Sequence, residues 1–220
     1  MKVLISGSSR GIGLAVTKRF LDEGFEVYGL DIKESPINNP SYHHYICDIS
    51  SKNNLPDIEG INYIFNNAGL QKSSDDIKNN LKGNINVTEK YAFQKDIKSV
   101  LFNASASSIS GDEFYEYVAS KAGIVGYMRN TAMRLVPYQA TCNAISLGGV
   151  NTSSNEVVMK DEKLWKKIME VTPLKKWMDE EEVADWVYFL LIKNHSMSGE
   201  NLLIDNGEYR LNSKFVWPND

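Results

Sequence analysis

A tyrosine and a lysine four positions apart are the first residues in the sequence whose types suit acid–base chemistry. Tyr117 and Lys121 fall within a helical pattern, so this spacing puts both side chains on one face of the helix. A phenol is neutral at pH 7, with a reference pKa of about 10, and a nearby ammonium group favours its ionised form. The pair therefore indicates a proton donor and acceptor, although the same spacing is also common on helix faces with a purely structural role.

A glycine-rich segment near the N-terminus has the spacing of a phosphate-binding loop. Residues 6–13 read Ser-Gly-Ser-Ser-Arg-Gly-Ile-Gly and lie between an apolar strand and a helix. Gly7 permits the turn, Gly11 leaves room for a pyrophosphate, and Gly13 lets the helix pack close to the strand. The N-terminus of the helix offers free N–H groups and positive potential to phosphates. The residues predicted to bind a dinucleotide here are Gly7, Ser9, Arg10, Gly11, Ile12 and Gly13.

An acidic residue at the end of the second strand supports this prediction. Asp31 lies 18 residues after Gly13, where a carboxylate accepts hydrogen bonds from an adenosine ribose. A 2′-phosphate would meet like charge at this place, so Asp31 favours NAD over NADP. The alternative is a surface turn followed by a solvated aspartate. The order of strand, loop, helix, strand and acid favours the nucleotide site.

The same loop also fits the nucleophile elbow of a hydrolase. Residues 7–11 match the pattern G-x-S-x-G, with Ser8 as the nucleophile. That site needs an upstream loop to complete an oxyanion hole, but only six residues precede Gly7. His195 would have to complete the triad, and no acid is obviously placed to orient it. We therefore reject the hydrolase interpretation.

The elements that position these residues alternate between strand and helix along the chain. Short apolar runs predict seven strands, near residues 3–5, 25–30, 45–46, 61–65, 100–102, 141–145 and 202–204. Helical spacing predicts helices over 12–23, 77–94, 114–135 and 179–191, the last opened by a capping box of Asp179 and Glu182. Apolar strands separated by helices predict an α/β fold, a Rossmann-like doubly wound parallel sheet of about seven strands with helices on both faces.

Composition excludes several other classes of protein. The 220 residues are 42% hydrophobic and 24% charged, as in globular proteins, and we expect a single domain over 1–220. A net charge of −4 and the lack of a basic run argue against nucleic acid as a partner. No stretch resembles a membrane span or a signal peptide, so we expect a cytoplasmic protein without a membrane partner.

The cysteines and histidines do not suggest a metal site. Cys47 and Cys142 lie in apolar surroundings and are interpreted as buried thiols, not as a disulfide. His43 and His44 are adjacent, so they point to opposite faces of a strand, and no spacing of zinc ligands is present. No metal is predicted.

Six segments taken together resemble the short-chain dehydrogenase/reductase family, over about residues 2–209. Residues 6–13 resemble its T-G-x-x-x-G-x-G loop, with serine in place of threonine, and residues 117–121 match its Y-x-x-x-K motif. Four further segments also fit: Asp48-Ile49, Asn66-Asn67-Ala68-Gly69, Leu147-Gly148-Gly149-Val150-Asn151-Thr152, and a C-terminal pattern that ends in Asp205-Asn206-Gly207. The small members similar to 3-oxoacyl-carrier-protein reductases match best.

The resemblance implies a role for each segment. Tyr117 would exchange the proton with a carbonyl/alcohol pair, and Lys121 would also hold the nicotinamide ribose. The family's polarising serine corresponds to Ser105, with Ser107 as the alternative, because the serine-rich stretch does not fix the register. Its helix asparagine best matches Asn86, although Asn79, Asn80 and Asn84 compete. The other residues implied in cofactor binding are Asp48, Ile49, Asn67, Ala68, Gly69, Gly148, Val150 and Thr152.

The sequence departs from the family pattern in ways that bear on cofactor and assembly. Arg10 is a feature often found in relatives that prefer NADP, so NAD(H) is the preferred cofactor on the strength of Asp31, with NADP(H) as the alternative. The segment from Asn86 to Ser105 is several residues shorter than usual. Because the helices around it usually form the family's main interface, the expected homodimer or homotetramer depends on this region.

The resemblance implies hydride transfer between NAD(H) and a small ketone or secondary alcohol. The alternative is a regulator that senses NAD(H) without turnover, but the intact Tyr117 and Lys121 argue against it. Residues 152–175 are expected to form a lid on the substrate side, with Ser153, Ser154 and Asn155 as polar contacts. We interpret Val157-Val158-Met159 and Trp165 as core residues rather than as a pocket wall, and residues 210–220 as an irregular tail.

Overall fold

A parallel β-sheet forms the centre of the protein, for which the computed structural model describes residues 1–71 and 74–211. Within these residues the strands are β1 (Lys2–Ser6), β2 (Glu26–Asp31), β3 (Tyr42–Ile46), β4 (Tyr63–Asn66), β5 (Ser99–Asn103), β6 (Thr141–Leu147) and β7 (Asn201–Ile204). They lie in the order β3-β2-β1-β4-β5-β6-β7, and every neighbouring pair is parallel. The predicted seven-stranded, doubly wound sheet is confirmed.

Helices connect the strands and cover both faces of the sheet. The α-helices are α1 (Gly11–Asp22), α2 (Gly83–Tyr91), α3 (Ser107–Ser110), α4 (Tyr115–Leu135), α5 (Glu156–Lys160), α6 (Glu162–Val171) and α7 (Glu180–Tyr188). Two π-helical segments, Ile77–Lys82 and Phe189–Lys193, adjoin α2 and α7. The connection from β3 to β4 returns the chain to the other side of β1, so the sheet has its switch point between β1 and β4.

Alternation along the central strands creates two hydrophobic cores. Val3 and Ile5 of β1 pack on the face covered by α1 and α7, where Phe20 and Val187 are fully buried. Leu4 packs on the opposite face, with α2 and α4. Because both faces of the sheet are covered, the strands are apolar at consecutive positions, as the sequence indicated. The sheet is a rigid base whose carboxyl edge carries the loops of the site.

The main differences from the sequence prediction lie in the helices. The predicted helix over 77–94 begins as a π-helical turn and ends as an α-helix at Tyr91. At the junction Gly83 lies against Ile49, and a Cβ there would come within 2.8 Å of the Ile49 side chain. Hydrophobic spacing does not distinguish an i→i+5 turn from an i→i+4 turn, so the sequence pattern could not reveal this change.

The predicted capping box at the start of α7 is wrong. The Asp179 side chain makes no capping hydrogen bond, and its Oδ1 instead accepts a hydrogen bond from Asn151 Nδ2 (2.8 Å). Glu182 Oε2 accepts one from Lys176 Nζ (2.9 Å). Both side chains therefore accept hydrogen bonds from residues between β6 and α7, and neither caps the helix.

Within the described residues, none of the helices has the length and apolar character needed to cross a membrane. Cys47 and Cys142 are both buried and unpaired, as predicted. Burial raises the pKa of the Cys47 thiol to about 11 and also raises that of Cys142. Most of the tail predicted over 210–220 lies outside the described residues.

Candidate active site

A cavity of about 1200 Å³ opens at the carboxyl edge of the sheet, on both sides of the switch point. Open α/β sheets bind their ligands at this position, because the loops that follow neighbouring strands diverge there. Most of the predicted site residues line this cavity. The exceptions are Ser9, Gly13 and Asn86.

The glycine-rich loop forms one wall of the cavity. Gly7 has a left-handed φ of +70°, and a Cβ on it would lie 2.9 Å from Ala68 Cα. A Cβ on Gly13 would lie only 1.8 Å from the Gly7 carbonyl oxygen, so Gly13 supports the loop from behind and does not line the cavity. Gly11 and Ile12 open α1 on the cavity wall, so the N-terminal N–H groups of the helix are placed to receive a pyrophosphate.

Asp31 joins the glycine loop to the end of β2. Its two carboxylate oxygens accept hydrogen bonds from Ser9 N and Lys33 N, each at 3.0 Å, and only 8% of its surface is exposed. A carboxylate oxygen has two lone pairs and can accept a second hydrogen bond, so Asp31 is still able to bind a ribose hydroxyl. The Ser9 hydroxyl donates to Lys33 O, which together with the bond from Ser9 N makes Ser9 a support of Asp31 instead of the predicted direct contact. Arg10 is exposed at the mouth of the cavity.

Ser8, the nucleophile of the rejected hydrolase interpretation, is fully buried. It accepts a hydrogen bond from the Tyr42 hydroxyl (3.0 Å) and does not line the cavity. A nucleophile must reach its substrate, so the structure also argues against that interpretation.

The end of the cavity predicted to bind adenosine (the adenosine end) lies beside the loop that follows β3. Asp48 and Ile49 line it, as predicted. Asn86 is buried behind this loop and donates hydrogen bonds from Nδ2 to Ile49 O (3.0 Å) and Ser50 O (3.1 Å). The prediction of Asn86 as the relay asparagine is therefore wrong, because its side chain supports the adenosine end of the site.

Asn80, one of the competing asparagines, lies next to the acid–base pair. It is fully buried in the π-helical segment, and its side chain pairs with both the N–H and the C=O of Leu70 (2.7 and 2.8 Å). Its Nδ2 also donates to the Ser120 hydroxyl on α4 (3.1 Å). A Cβ on Gly69 would lie 3.1 Å from Asn80 Oδ1 and 3.6 Å from Lys121 Nζ, so these groups crowd around one glycine. The π-helical turn that moves Asn80 inward left no signal in the hydrophobic pattern.

The segment after β4 links the glycine loop to β5. The backbone N–H groups of Asn67 and Ala68 donate to Ser6 Oγ, each at 3.0 Å. The Asn67 side chain donates to Ser6 O and Gly7 O and accepts from Asn103 Nδ2 (2.9 Å). These bonds hold three strand ends together at the middle of the cavity.

Ser105 faces Tyr117, and Ser107 lies behind it. The Ser105 hydroxyl oxygen accepts hydrogen bonds from the N–H and the hydroxyl of Ser107 (3.2 and 2.9 Å). The side chains of Ser105 and Tyr117 are hydrogen-bonded to each other. This arrangement favours Ser105 over Ser107 as the residue next to the phenol.

Burial controls the proton affinities of the acid–base pair. It lowers the pKa of Lys121 to about 8, while the charges of Asp76 and Glu113 oppose that shift. Burial raises the pKa of Tyr117 to about 12, and the hydrogen bond with Ser105 partly opposes this. Lys121 Nζ lies 5.6 Å from the centre of the Tyr117 ring and donates to Asn103 O (2.8 Å). In the protein alone, the ammonium therefore does not produce the lowered phenol pKa expected from the sequence.

The loop after β6 and the segment that follows it close the other side of the cavity. Gly148, Val150 and Thr152 line it as predicted, and Val150 forms a parallel bridge with Met178. The segment over 152–175 contains α5 and α6, neither of which has a fully buried residue. The predicted core role for its apolar residues is therefore wrong. Val158 lines the cavity and Val157 is 83% exposed.

Three residues of this end were missed in the sequence. Trp177 lines the cavity and packs edge-to-face on Trp165, with ring centres 5.0 Å apart. Glu113 and Glu208 line it from the loops before α4 and after β7. Their segments lie next to recognisable motifs, but the sequence carries no sign that they meet across one cavity.

The fold and the site together fit a dinucleotide-dependent oxidoreductase, and comparison with known proteins agrees. The family model described as enoyl-(acyl carrier protein) reductase matches residues 7–208. A short chain dehydrogenase of Aspergillus calidoustus is 31% identical over 69% of this chain and 70% of its own. The 3-oxoacyl-[acyl-carrier-protein] reductase of Buchnera aphidicola is 25% identical over 94% of this chain and 96% of its own.

A solved structure shows the same fold. A mutant of 4-hydroxyisoleucine dehydrogenase, complexed with NADH and succinate, superposes with a TM-score of 0.87 at 23% identity, over 95% of this chain and 98% of that one. The chain belongs to the short-chain dehydrogenase/reductase family. It is an NAD(P)-dependent oxidoreductase that acts on CH–OH or C=O groups.

Proposed function

We propose that the chain interconverts a small secondary alcohol and its ketone with NAD(H), using Tyr117 as the acid and base. The observation that carries this proposal is the meeting of Ser105, Tyr117 and Lys121 in the cavity that the glycine loop also lines. When bound, the nicotinamide supplies or accepts the hydride. The protein's own residues bind the carbonyl, hold it in place and move the proton.

Ser105, Tyr117 and Lys121 each have a distinct task when the carbonyl is reduced. Ser105 donates a hydrogen bond to the carbonyl oxygen, because its own oxygen is already occupied by the two donors of Ser107. Tyr117 donates its proton to the same oxygen. The buried ammonium of Lys121 and the positive charge of an oxidised nicotinamide stabilise the phenolate that results. Asn80 acts as a positioning residue in place of Asn86, because it joins the loop after β4 to α4.

The cofactor proposed is NAD(H) in preference to NADP(H). Asp31 lines the cavity at the end of β2, where the like charge of a 2′-phosphate would be repelled. Arg10 at the mouth favours NADP(H) but is exposed, which weakens its attraction for a phosphate. Asp48 and Ile49 would contact the adenine, and Gly148, Val150 and Thr152 the nicotinamide end.

We also propose that residues 152–175 act as the substrate-side lid. Ser153, Ser154 and Asn155 line the cavity together with the apolar Leu164 and Ile168. Helices without fully buried residues are held by few contacts and open at low cost in free energy.

A homodimer or homotetramer completes the proposal. Trp186 on α7 and Phe189 at the start of the following π-helical segment are 37% and 48% exposed and pack edge-to-face, with ring centres 6.3 Å apart. Exposed aromatic pairs of this kind are typical of protein interfaces. Light scattering coupled to size exclusion would measure the assembly.

The central test combines cofactor binding with turnover. We expect NADH to bind the wild type and the Tyr117→Phe variant with equal affinity, measured by NADH fluorescence. We expect kcat for a secondary alcohol to fall about 1000-fold in Tyr117→Phe, because the phenylalanine cannot exchange the proton. Binding without turnover in the wild type would favour the sensor alternative, and a fully active Tyr117→Phe would refute the acid–base role.

A further inference from the structure

Helix α6 has an apolar face that belongs to neither hydrophobic core. Leu164, Ile168 and Val171 recur at positions i, i+4 and i+7 of this helix and line the cavity, whereas its charged residues are all exposed. All of α6 is described, and none of its residues is fully buried. Amphipathic helices are normally stabilised by burial of their apolar face, so α6 depends on what fills the cavity.

Both ends of α6 are fixed by hydrogen bonds, which explains how the helix keeps its shape without a core beneath it. At its start, Asp161 Oδ1 accepts hydrogen bonds from Lys163 N (3.1 Å) and Leu164 N (3.0 Å). After its end, the hydroxyl of the fully buried Thr172 donates to Ile168 O (2.8 Å). The apolar side chains of α6 are therefore held in place at the cavity by the helix itself.

Neighbouring segments extend this apolar surface. Val158 of α5 lines the cavity, whereas the adjacent Val157 is 83% exposed and does not line it. Trp177 also lines the cavity and lies so close to Gly149 that no Cβ fits there. Its ring packs edge-to-face on Trp165 of α6, which joins the helix to the loop after β6. We call the surface formed by the cavity-lining side chains of α5, α6 and Trp177 the apolar wall.

The carboxylates on the same side of the cavity have partners within the protein. Asp205 accepts hydrogen bonds from two backbone N–H groups of its own loop (3.0 and 2.8 Å). Glu208 Oε1 accepts one from the Thr172 hydroxyl (2.6 Å), and Glu113 Oε2 accepts one from Gln71 Nε2 (3.1 Å). These acids therefore support the loops around the cavity, and the apolar wall is the larger surface for a substrate to cover.

We propose that the substrate is a secondary alcohol or ketone with an uncharged alkyl or aryl chain that packs on the apolar wall. The inference rests on the proposed function, because it concerns the substrate of the same site. Ser105 and Tyr117 line the same cavity, so a chain on the wall can present its oxygen to them. Contact with the chain removes apolar surface of Leu164 and Ile168 from water, which favours binding in proportion to the area covered.

A series of alcohols that differ in chain length tests this inference. The compounds are 2-butanol, 2-pentanol and 2-hexanol, together with 1,5-hexanediol, which has a hydroxyl group at the far end of the 2-hexanol chain. Their kcat/KM with NAD⁺ is measured by NADH absorbance. We expect a rise of about threefold for each methylene group. We expect 1,5-hexanediol to be at least about fivefold poorer than 2-hexanol, because its second hydroxyl loses water on the apolar wall.

Binding without turnover gives a second readout. The same alcohols are titrated into the NADH-loaded protein in a calorimeter at several temperatures, since the reduced cofactor cannot oxidise them. We expect the affinity to rise with chain length in the same way as kcat/KM. The heat-capacity change of binding should be negative and should become more negative with each methylene group, as for burial of apolar surface.

Two variants of the apolar wall and a matched control locate the effect. Val158→Thr and Leu164→Asn change the side chains little in size but make them polar. We expect each to lower the ratio of kcat/KM for 2-hexanol to that for 2-butanol about threefold, with unchanged NADH affinity. Val157→Thr makes the same change one residue away, outside the cavity, and should leave that ratio at its wild-type value.

The inference is overturned if neither affinity nor kcat/KM rises with chain length, or if both variants of the apolar wall retain the wild-type ratio. Turnover of 2-butanol that depends on Tyr117 would show that the proposed function survives such a failure. Loss of NADH binding, or turnover that is unchanged in Tyr117→Phe, would count against the proposed function itself.

Discussion

The end of the cavity where we propose that the cofactor binds (the cofactor end) and the end where we propose that the substrate binds (the substrate end) are built in different ways. At the cofactor end, backbone and side chains of β1, β2 and β4 hold one another through short contacts, and Ser6 and Asp31 are nearly or fully buried. At the substrate end, α5 and α6 contain no fully buried residue, and Leu164 and Val171 remain 41% and 55% exposed. The cofactor end is thus part of the core, while the substrate end rests on its surface.

The contrast in rigidity matches the different demands of cofactor binding and substrate binding. A rigid end suits a cofactor that is common to many relatives, because its phosphates need fixed N–H groups. A loosely held end allows closure and permits changes of substrate without loss of the fold. Four experiments probe this contrast between the two ends, and the first should give the strongest effect.

Gly13→Ala tests the rigidity of the cofactor end. The added Cβ would lie 1.8 Å from the Gly7 carbonyl oxygen, so the loop or helix must move. We expect a loss of about 3 kcal/mol in the free energy of unfolding, together with weaker NADH binding. The control is Gly126→Ala in α4, where a Cβ meets nothing within 4 Å and should stabilise the helix by about 0.5–1 kcal/mol. Equal effects of the two changes would contradict the prediction.

Lys121 lies between the two ends and should give a pH-dependent stability. Burial lowers its pKa from 10.5 to about 8. Between these values the unfolded chain binds the proton and the folded protein does not, so the free energy of unfolding should rise with pH over this interval. The total rise in the free energy of unfolding is at most about 3 kcal/mol. Below the folded pKa no rise is expected, because both states bind the proton there and the buried ammonium lowers stability by a constant amount.

Urea unfolding of the cofactor-free protein at several pH values would measure the effect of Lys121. We expect Lys121→Met to lack the rise, and Lys18→Met, a change at an exposed lysine, to retain it. A rise of equal size in Lys121→Met would assign the pH dependence to other groups.

Asp31→Ala tests cofactor selectivity at the edge of the rigid end. We expect the ratio of NADPH to NADH affinity to increase about tenfold, because the repulsion of the 2′-phosphate is removed. Asp31→Asn removes the charge with little change in size and should shift the ratio in the same direction, even if the lost contacts to Ser9 N and Lys33 N weaken both cofactors. Fluorescence titrations with both nucleotides give the ratio, and an unchanged ratio would mean that the ribose contact lies elsewhere.

Leu164→Ala should have the smallest effect on stability. The side chain is 41% exposed in α6, so the free energy of unfolding should change by less than about 1 kcal/mol. The same residue lines the cavity, and we expect KM for the substrate to change while NADH affinity does not. A large loss of stability would show that the lid belongs to the core after all.

Local patterns made much of the fold and of the cofactor end predictable. The glycine loop and the pair Tyr117 and Lys121 are defined by short spacings within one turn or one helix. Asp31 is recognised by its place at the end of the strand that follows the first helix. The alternation of apolar strands and helices predicted the doubly wound sheet, because a parallel sheet must be covered on both faces. The boundaries of the strands moved by a few residues, since their ends are set by partners in the sheet.

The class of fold follows from the sequence alone, because apolar strands that alternate with amphipathic helices define a doubly wound sheet. The glycine loop and the Tyr117–Lys121 pair are predictions made from short spacings in the sequence. Contacts in the folded protein favour Asn80 over Asn86, and Ser105 over Ser107, as the residues beside Tyr117 and Lys121. Those choices depend on a π-helical turn and on hydrogen bonds between separate elements. The tertiary structure also brought Glu113 and Glu208 to one cavity from loops 95 positions apart in the chain. Such a juxtaposition is set by the packing of the whole sheet, and no local spacing encodes it.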